Sequence, residues 1–261
     1  MTRVLSGAAL AAVALAAILF LPFLGLRLVA CLVAVLAARE YLDILHQDRR
    51  PRGALIVLGL VAVVCWQFSA PGFVDVLWLL LAALAWLAIE VLFRGLTVDR
   101  ASARFLALWY IGMPFGMLVA IHAVGGRMAT LLLIATVVVS DTAQYYSGRA
   151  LGRRPLAPAI SPKKTIEGAV GGLVAASVFM TFAGRTVFPV ARPVSLLLLG
   201  VAIAVLGIAG DLFESRLKRV AGIKDSSSLI PGHGGVLDRI DALLFATPIF
   251  YMYVRWMYTT R

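Results

Sequence analysis

Charge is what this sequence has least of. Only 14% of its 261 residues are Asp, Glu, Lys or Arg, against ~25% in an average soluble domain. Acidic side chains number 13 and histidines three. Hydrophobic residues fill 62% of the chain, and mean hydropathy is +0.96. That leaves too little polar surface to cover a single water-soluble core, and far too much hydrophobicity for a disordered chain. Cysteine is nearly absent. Cys31 and Cys65 both lie in apolar runs, which excludes a disulfide framework, offers no metal-ligand spacing, and marks both as buried thiols. No internal repeat is evident. What remains is an all-α, polytopic membrane protein that spends most of its length crossing the bilayer.

A membrane-crossing helix needs ~20 apolar residues. Nine runs qualify, near 4–21, 24–45, 54–69, 74–93, 103–122, 128–147, 167–188, 195–214 and 240–258. Arg3 followed by apolar residues to Leu21 imitates a signal peptide, but the runs beyond it argue for a retained first span. Pro22 with Gly25 is the weakest break, so the first two runs form a tight hairpin or one broken element. The expected organisation is an N-terminal set of about five spans over 1–125. A catalytic C-terminal region over 126–261 would carry two cytoplasmic loops.

The net charge of +11 does not require nucleic acid, because the loops alternate in charge. With Arg3 placed inside, about three quarters of the 24 basic residues fall on the inner side. Arg39, Arg49, Arg50 and Arg52 follow the second run, and Arg94, Arg100 and Arg104 the fourth. The loop around Ser69–Gly72 has no basic residue. The positive-inside bias predicts a cytoplasmic N-terminus and, after nine spans, a C-terminus outside the inner membrane. Part of the charge is also suited to anionic headgroups.

Two inside loops are denser in Gly, Pro, Ser, Lys and Asp than connection alone requires. The first runs from Ser140-Asp141-Thr142 through Gly148-Arg149 to Ser161-Pro162-Lys163-Lys164-Thr165-Ile166-Glu167-Gly168. Ser161 then Pro162 reads as an N-cap followed by proline at the first helical position. Two lysines in a first turn oppose the helix dipole and make sense beside an anion, so this is either a phosphate site or a lysine pair touching lipid phosphates. Asp141 lies near membrane depth. It is a functional carboxylate by default, or a helix-end partner of Arg149 or Arg153.

The second stretch carries more. Asp211 and Glu214 share a helix face, three residues apart. Ser215-Arg216-Leu217-Lys218-Arg219, Lys224-Asp225 and Pro231-Gly232-His233-Gly234-Gly235-Val236-Leu237-Asp238-Arg239-Ile240-Asp241 follow. The glycines allow close backbone approach and an anion nest. Asp211, Asp238 and Asp241 are hard oxygen donors whose mutual repulsion a divalent cation would relieve, and Mg²⁺ accepts a few carboxylates together with substrate phosphates. Carboxylates, cations and a Gly-rich turn together describe phosphoryl or nucleotidyl transfer. Simple salt bridges, such as Glu214 with Lys218, are the alternative. His233 is a general base, a phosphate hydrogen-bond donor or a loop-ordering residue. Intramembrane charge also suits a transporter, although the ionisable residues gather at one face.

At these residues the sequence resembles the phosphatidate cytidylyltransferase (CDP-diacylglycerol synthase) family. The pattern Ser-x-x-Lys-Arg, Lys-Asp, then Pro-x-His-Gly-Gly-x-x-Asp-Arg-x-Asp is matched by Ser215, Lys218, Arg219, Lys224, Asp225, Pro231, His233, Gly234, Gly235, Asp238, Arg239 and Asp241. Ser140-Asp141-Thr142, Gly148-Arg149 and Ser161-Pro162-Lys163-Lys164-Thr165-x-Glu167-Gly168 also match, and Ser226-Ser227-Ser228 is a mild departure. The likeness is specific over roughly 140–241. It implies joining of CTP and phosphatidate into CDP-diacylglycerol and pyrophosphate, in phospholipid biosynthesis, with one or two Mg²⁺ ions. Asp211, Asp238 and Asp241 would hold the metal, with Lys224 and His233 among the catalytic residues. Ser161, Lys163, Lys164, Thr165, Ser215, Lys218, Arg219, Asp225, Gly234, Gly235, Arg239 and Asp141 would meet the substrates. A different lipid phosphate acceptor remains open. The small residues of Gly168-Ala169-Val170-Gly171-Gly172 suit helix packing within one chain or between two, so a homodimer is compatible.

Overall fold

The structure is a computed structural model that describes residues 2–45, 53–70, 76–227, 229–230 and 234–259. Its helices are α1 (Thr2–Phe20), α2 (Phe23–Leu45), α3 (Ala54–Phe68), α4 (Val76–Arg94), α5 (Val98–Ala107), α6 (Met113–Leu151), α7 (Ile166–Val187), α8 (Pro193–Val220) and α9 (Leu237–Thr259). A π-helical turn, Leu108–Gly112, joins α5 to α6. Pro114 immediately beyond it cannot donate a backbone hydrogen bond, and a widened turn accommodates the missing donor. Among the described residues, the bodies of the nine apolar runs lie on helix. The break at Leu21–Pro22 is real but short, with Pro22 O accepting from Leu26 N at 3.0 Å.

Among the described residues, three segments are long and apolar enough to cross a membrane: Val98–Leu151, Ile166–Val187 and Pro193–Val220. Gly7–Phe20, Ala54–Phe68 and Trp78–Phe93 are shorter apolar helices. The burial pattern of α7 is inverted relative to a soluble helix. Val170, Val174, Val178 and Phe182 point outward on one stripe, while Gly168, Gly172, Ala176 and Met180 are buried. Small residues inside and large apolar ones outside are what a lipid solvent selects.

The chain divides into two compact units. The first comprises 1–123 and 225–237, the second 124–224 and 238–261. In the first unit, α2 packs on α3 and α4 on α5. Arg104 of α5 donates to Glu90 of α4 at 2.5 Å, and both side chains are 2% exposed. Arg104 is therefore not one of the free loop cations expected after the fourth run; the chain consumes it inside the fold. Removing one partner of such a pair strands a buried charge, so Glu90→Ala should destabilise the protein by about 3–5 kcal/mol. Asp43→Ala breaks the exposed Arg39–Asp43 pair, where about 0–1 kcal/mol is expected. Unfolding in detergent separates the two; equal losses would refute the distinction.

In the second unit, α6 is interrupted at Gly126, whose φ of 75° and ψ of −178° lie outside helical space. This is the turn expected between the fifth and sixth runs, and only glycine adopts it without strain. Beyond it, α7 lies against the end of α6. A Cβ at Gly172 would fall 2.9 Å from Ser140 O, and one at Gly168 2.8 Å from Gln144 O. The small-residue run thus packs helices within one chain.

The all-α expectation fits, with one short hairpin standing where a helix start is expected at Ser161-Pro162. Pro155–Ala157 (β1) and Ser161–Thr165 (β2) form an antiparallel hairpin. Ser161 is not a helix cap and Lys163 and Lys164 are not in a first turn. The residue before proline is pushed toward extended backbone, and helix begins four residues after Pro162, at Ile166. The cap is Thr165, whose Oγ1 accepts from Gly168 N at 3.1 Å. Glu167 Oε2 then accepts from Arg153 N at 3.0 Å and Arg154 N at 3.2 Å, tying the hairpin's entry to the start of α7.

Candidate active site

The polar residues of the second unit converge on the last three turns of α8. A helix repeat of 3.6 places Asp211, Ser215 and Lys218 along one stripe, with Glu214 beside it. Ser215 Oγ donates to Asp211 Oδ1 at 3.2 Å. Lys164, at the end of the hairpin, is ion-paired with Asp211 Oδ2. Lys218 Nζ donates to Glu214 Oε2 at 2.7 Å and to Asp238 Oδ1 at 2.5 Å. Glu214 is 1% exposed, and its second oxygen has no hydrogen-bond partner among the described residues.

The first turns of α9 supply Asp238 and Asp241. Close approach of α8 to α9 is set at Gly210, where a Cβ would strike the Asp241 backbone. Phe213 and Phe245 stack beside this point with ring centroids 5.6 Å apart. Asp241 Oδ1 accepts from Ala242 N at 2.8 Å. Its carboxylate and those of Asp211 and Asp141 are near enough to repel one another. Asp141 accepts from Gln144 Nε2 at 3.1 Å, while Arg149 turns instead to Tyr145 Oη at 3.4 Å. Asp141 thus joins the acidic group rather than pairing with that arginine.

Two ammonium–carboxylate centres result, one at Lys164–Asp211 and one at Glu214–Lys218–Asp238. Among the described residues, no three His, Cys, Asp or Glu side chains are gathered tightly enough to hold a metal ion in this arrangement. Two of the three expected ligands, Asp211 and Asp238, face lysines. The bridge between Glu214 and Lys218 exists as the simpler reading of the sequence expected, but Lys218 also reaches Asp238, twenty residues on.

The remaining candidates are placed less centrally. Arg219 is exposed, donating to Ile160 O at 3.4 Å and Ile223 O at 3.3 Å. Lys163, Lys224, Asp225 and Arg239 are exposed. Ser161 lies in β2, and Thr165 acts as a cap. Gly234 takes the left-handed φ of 81° and accepts from Ile230 N at 2.8 Å. Gly235 is buried in the first unit. His233 lies outside the described residues. The structure adds Gln144, inside the matched stretch and not singled out from its residue type, and gives the motif's Glu167 its part in tying the hairpin to α7.

The family model described as "Cytidylyltransferase family" matches residues 1–257. The phosphatidate cytidylyltransferase of Bacillus subtilis (strain 168) is 39% identical over 187 residues, covering 70% of each chain. That of Haemophilus influenzae is 46% identical over 133 residues, 49% of this chain and 46% of its own. An Escherichia coli K12 protein named "Uncharacterized protein YnbB" is 40% identical over 150 residues, 58% of this chain and 48% of its own. The match thus spans about half the length of two of these three relatives. With a family model covering nearly the whole chain and a relative matched over 70% of both sequences, the chain belongs to the cytidylyltransferase family.

Proposed function

We propose that this chain transfers the cytidylyl group of CTP to phosphatidate, giving CDP-diacylglycerol and pyrophosphate. The observation that carries the reading is the pair of ammonium–carboxylate centres on α8. Lys164 and Lys218 are held ready by carboxylates at the end of an apolar helix, within a family of cytidylyltransferases. A phosphatidate phosphate oxygen attacks the α-phosphorus of CTP. A new P–O bond forms, the bond to the β-phosphate bridge breaks, and pyrophosphate leaves. The nucleophile is already an anion at neutral pH, so the chain needs no strong base. Its task is positioning and charge neutralisation.

Freed of their lysines, the aspartates would suit Mg²⁺ by their chemistry, although as they stand no three described side chains of this kind are gathered to hold it. Asp211, Asp238 and Asp241 are hard oxygen ligands, the acidic group repels itself, and a buried Glu214 oxygen waits without a donor. When bound, one or two Mg²⁺ ions would neutralise the triphosphate. An arriving triphosphate offers Lys164 and Lys218 phosphate oxygens in place of their carboxylates, and the vacated aspartates become available. Lys163, Arg219, Lys224 and Arg239, all exposed, would meet the outer phosphates.

The proposed setting is the inner membrane, with nine crossings, the N-terminus in the cytoplasm and the C-terminus outside. Both polar stretches would then face soluble CTP and inner-leaflet phosphatidate. The test is direct. Purified protein in detergent with phosphatidate, CTP and Mg²⁺ should form CDP-diacylglycerol, and EDTA or Asp238→Asn should abolish it. Intact protein that yields product only with another lipid phosphate would replace the acceptor. No product with any would overturn the reaction.

A further inference from the structure

We infer that Glu40, on α2, is a positioning residue that ties together the two ends of the segment carrying the Gly-Gly signature. The inference rests on the proposed reaction only in assigning that loop to catalysis. Glu40 is 5% exposed and lies far from the loop in sequence. Its Oε1 accepts from Ser227 Oγ at 2.7 Å and Val236 N at 3.0 Å. Its Oε2 accepts from Ser226 Oγ at 3.0 Å and Leu237 N at 2.8 Å. Each oxygen therefore binds one donor from the start of the loop and one from its end.

One carboxylate thus staples a segment of about ten residues closed, since a carboxylate offers roughly four acceptor sites on two oxygens. The two backbone donors carry a second meaning. Leu237 is the first residue of α9, and the first N–H groups of a helix have no partner within it. Glu40 supplies an acceptor for that Leu237 N–H from another element. Asp238 is the next residue along the chain.

The second glycine of the signature finds its reason here. A Cβ at Gly235 would strike both Ser226 Oγ and the Glu40 carboxylate, its carboxyl carbon only 2.6 Å away. Gly235 leaves the space that Glu40 fills. Within the loop, Ser227 Oγ also accepts from Leu229 N at 3.1 Å, and Ile230 N donates to Gly234 O at 2.8 Å. The staple therefore reaches inward through further hydrogen bonds.

The isosteric change Glu40→Gln tests this. A carboxamide keeps one acceptor oxygen and turns an NH₂ group toward two donors. One of those donors is a backbone N–H that cannot reverse. Amide hydrogen exchange over 226–237 should rise about ten- to a hundredfold, while peptides of α7 keep their protection. In the same preparation kcat should fall by about 10²-fold, as small misplacement does, with KM for CTP changed far less. Glu40→Asp, which retains the charge, should recover part of both. Gly235→Ala approaches the same contact from the loop side and should raise exchange in the same peptide with α2 untouched.

Unchanged exchange at 226–237 in Glu40→Gln and Gly235→Ala would overturn the staple. Raised exchange with undiminished kcat would overturn its role in positioning. The exchange measurement needs no substrate, so a wild-type chain inactive on CTP would refute the reaction and still leave the staple decided by exchange alone.

Discussion

Lys218→Met should lower kcat for CDP-diacylglycerol formation by about 10²–10³-fold, the scale of losing one preorganised donor to developing charge. It should also lower stability by about 3–5 kcal/mol. Both effects come from one ammonium group. Lys218 stands between Glu214 and Asp238, and the side chains of all three are at most 12% exposed. Taking the cation away leaves two carboxylates facing each other with little water to screen them. The stability loss and the rate loss are separable. Adding Glu214→Gln removes one stranded charge and should return most of the stability. It should return none of the rate if Lys218 is required to meet a phosphate. Thermal unfolding and turnover measured on the single and double variants decide the matter. Recovery of rate in step with stability would reduce Lys218 to a structural ion pair. Lys218→Arg should not rescue, because a planar fork does not fill a site shaped for a compact ammonium.

Why that centre was only half legible in the sequence is a matter of distance along the chain. The i,i+4 relation of Glu214 to Lys218 follows from helix periodicity, and so does the shared face of Asp211 and Glu214. Asp238 joining Lys218 does not, because it depends on how α9 meets α8 at Gly210. The helices themselves were plain, since long apolar runs have few alternatives in a bilayer. Local chemistry misled at Ser161-Pro162. The pair carries a helix-start signal, yet Thr165 offers a better cap, and Ser161 and Thr165 pair with Ala157 and Pro155 in the hairpin instead. Arg104 looked like a loop cation because Glu90 lies in a different apolar run. Glu40 is hard to read from the sequence for a related reason: it sits beside Arg39, part of the charge bias, and its partners lie 186 to 197 residues away. The available signal was a carboxylate within an otherwise apolar span, which is costly unless it is used.

Asp211→Asn should reduce kcat by about 10³-fold or more and raise the Mg²⁺ concentration needed for half-maximal rate. The substitution preserves shape and the acceptor for Ser215 Oγ, which lies 3.2 Å from Asp211 Oδ1, so the fold should persist. What it removes is a charge with two proposed uses: holding Lys164 in the structure seen here, and accepting a divalent ion when substrate arrives. These uses predict different partners for rescue. If Asp211 serves mainly to place Lys164, then Lys164→Gln should cost as much as Asp211→Asn, and the double variant should cost no more than either. If Asp211 is a metal ligand, the double variant should be worse than both, and only variants lacking Asp211 should shift the Mg²⁺ dependence. Ser215→Ala supplies the scale for support without ligation, at about 10–100-fold. Mn²⁺ binding followed by electron paramagnetic resonance, without turnover, gives the independent reading. Near-normal turnover in Asp211→Asn, with unchanged Mn²⁺ affinity, would remove Asp211 from the metal site. The acidic group of α6, α8 and α9 would then be a structural cluster neutralised by lysines alone.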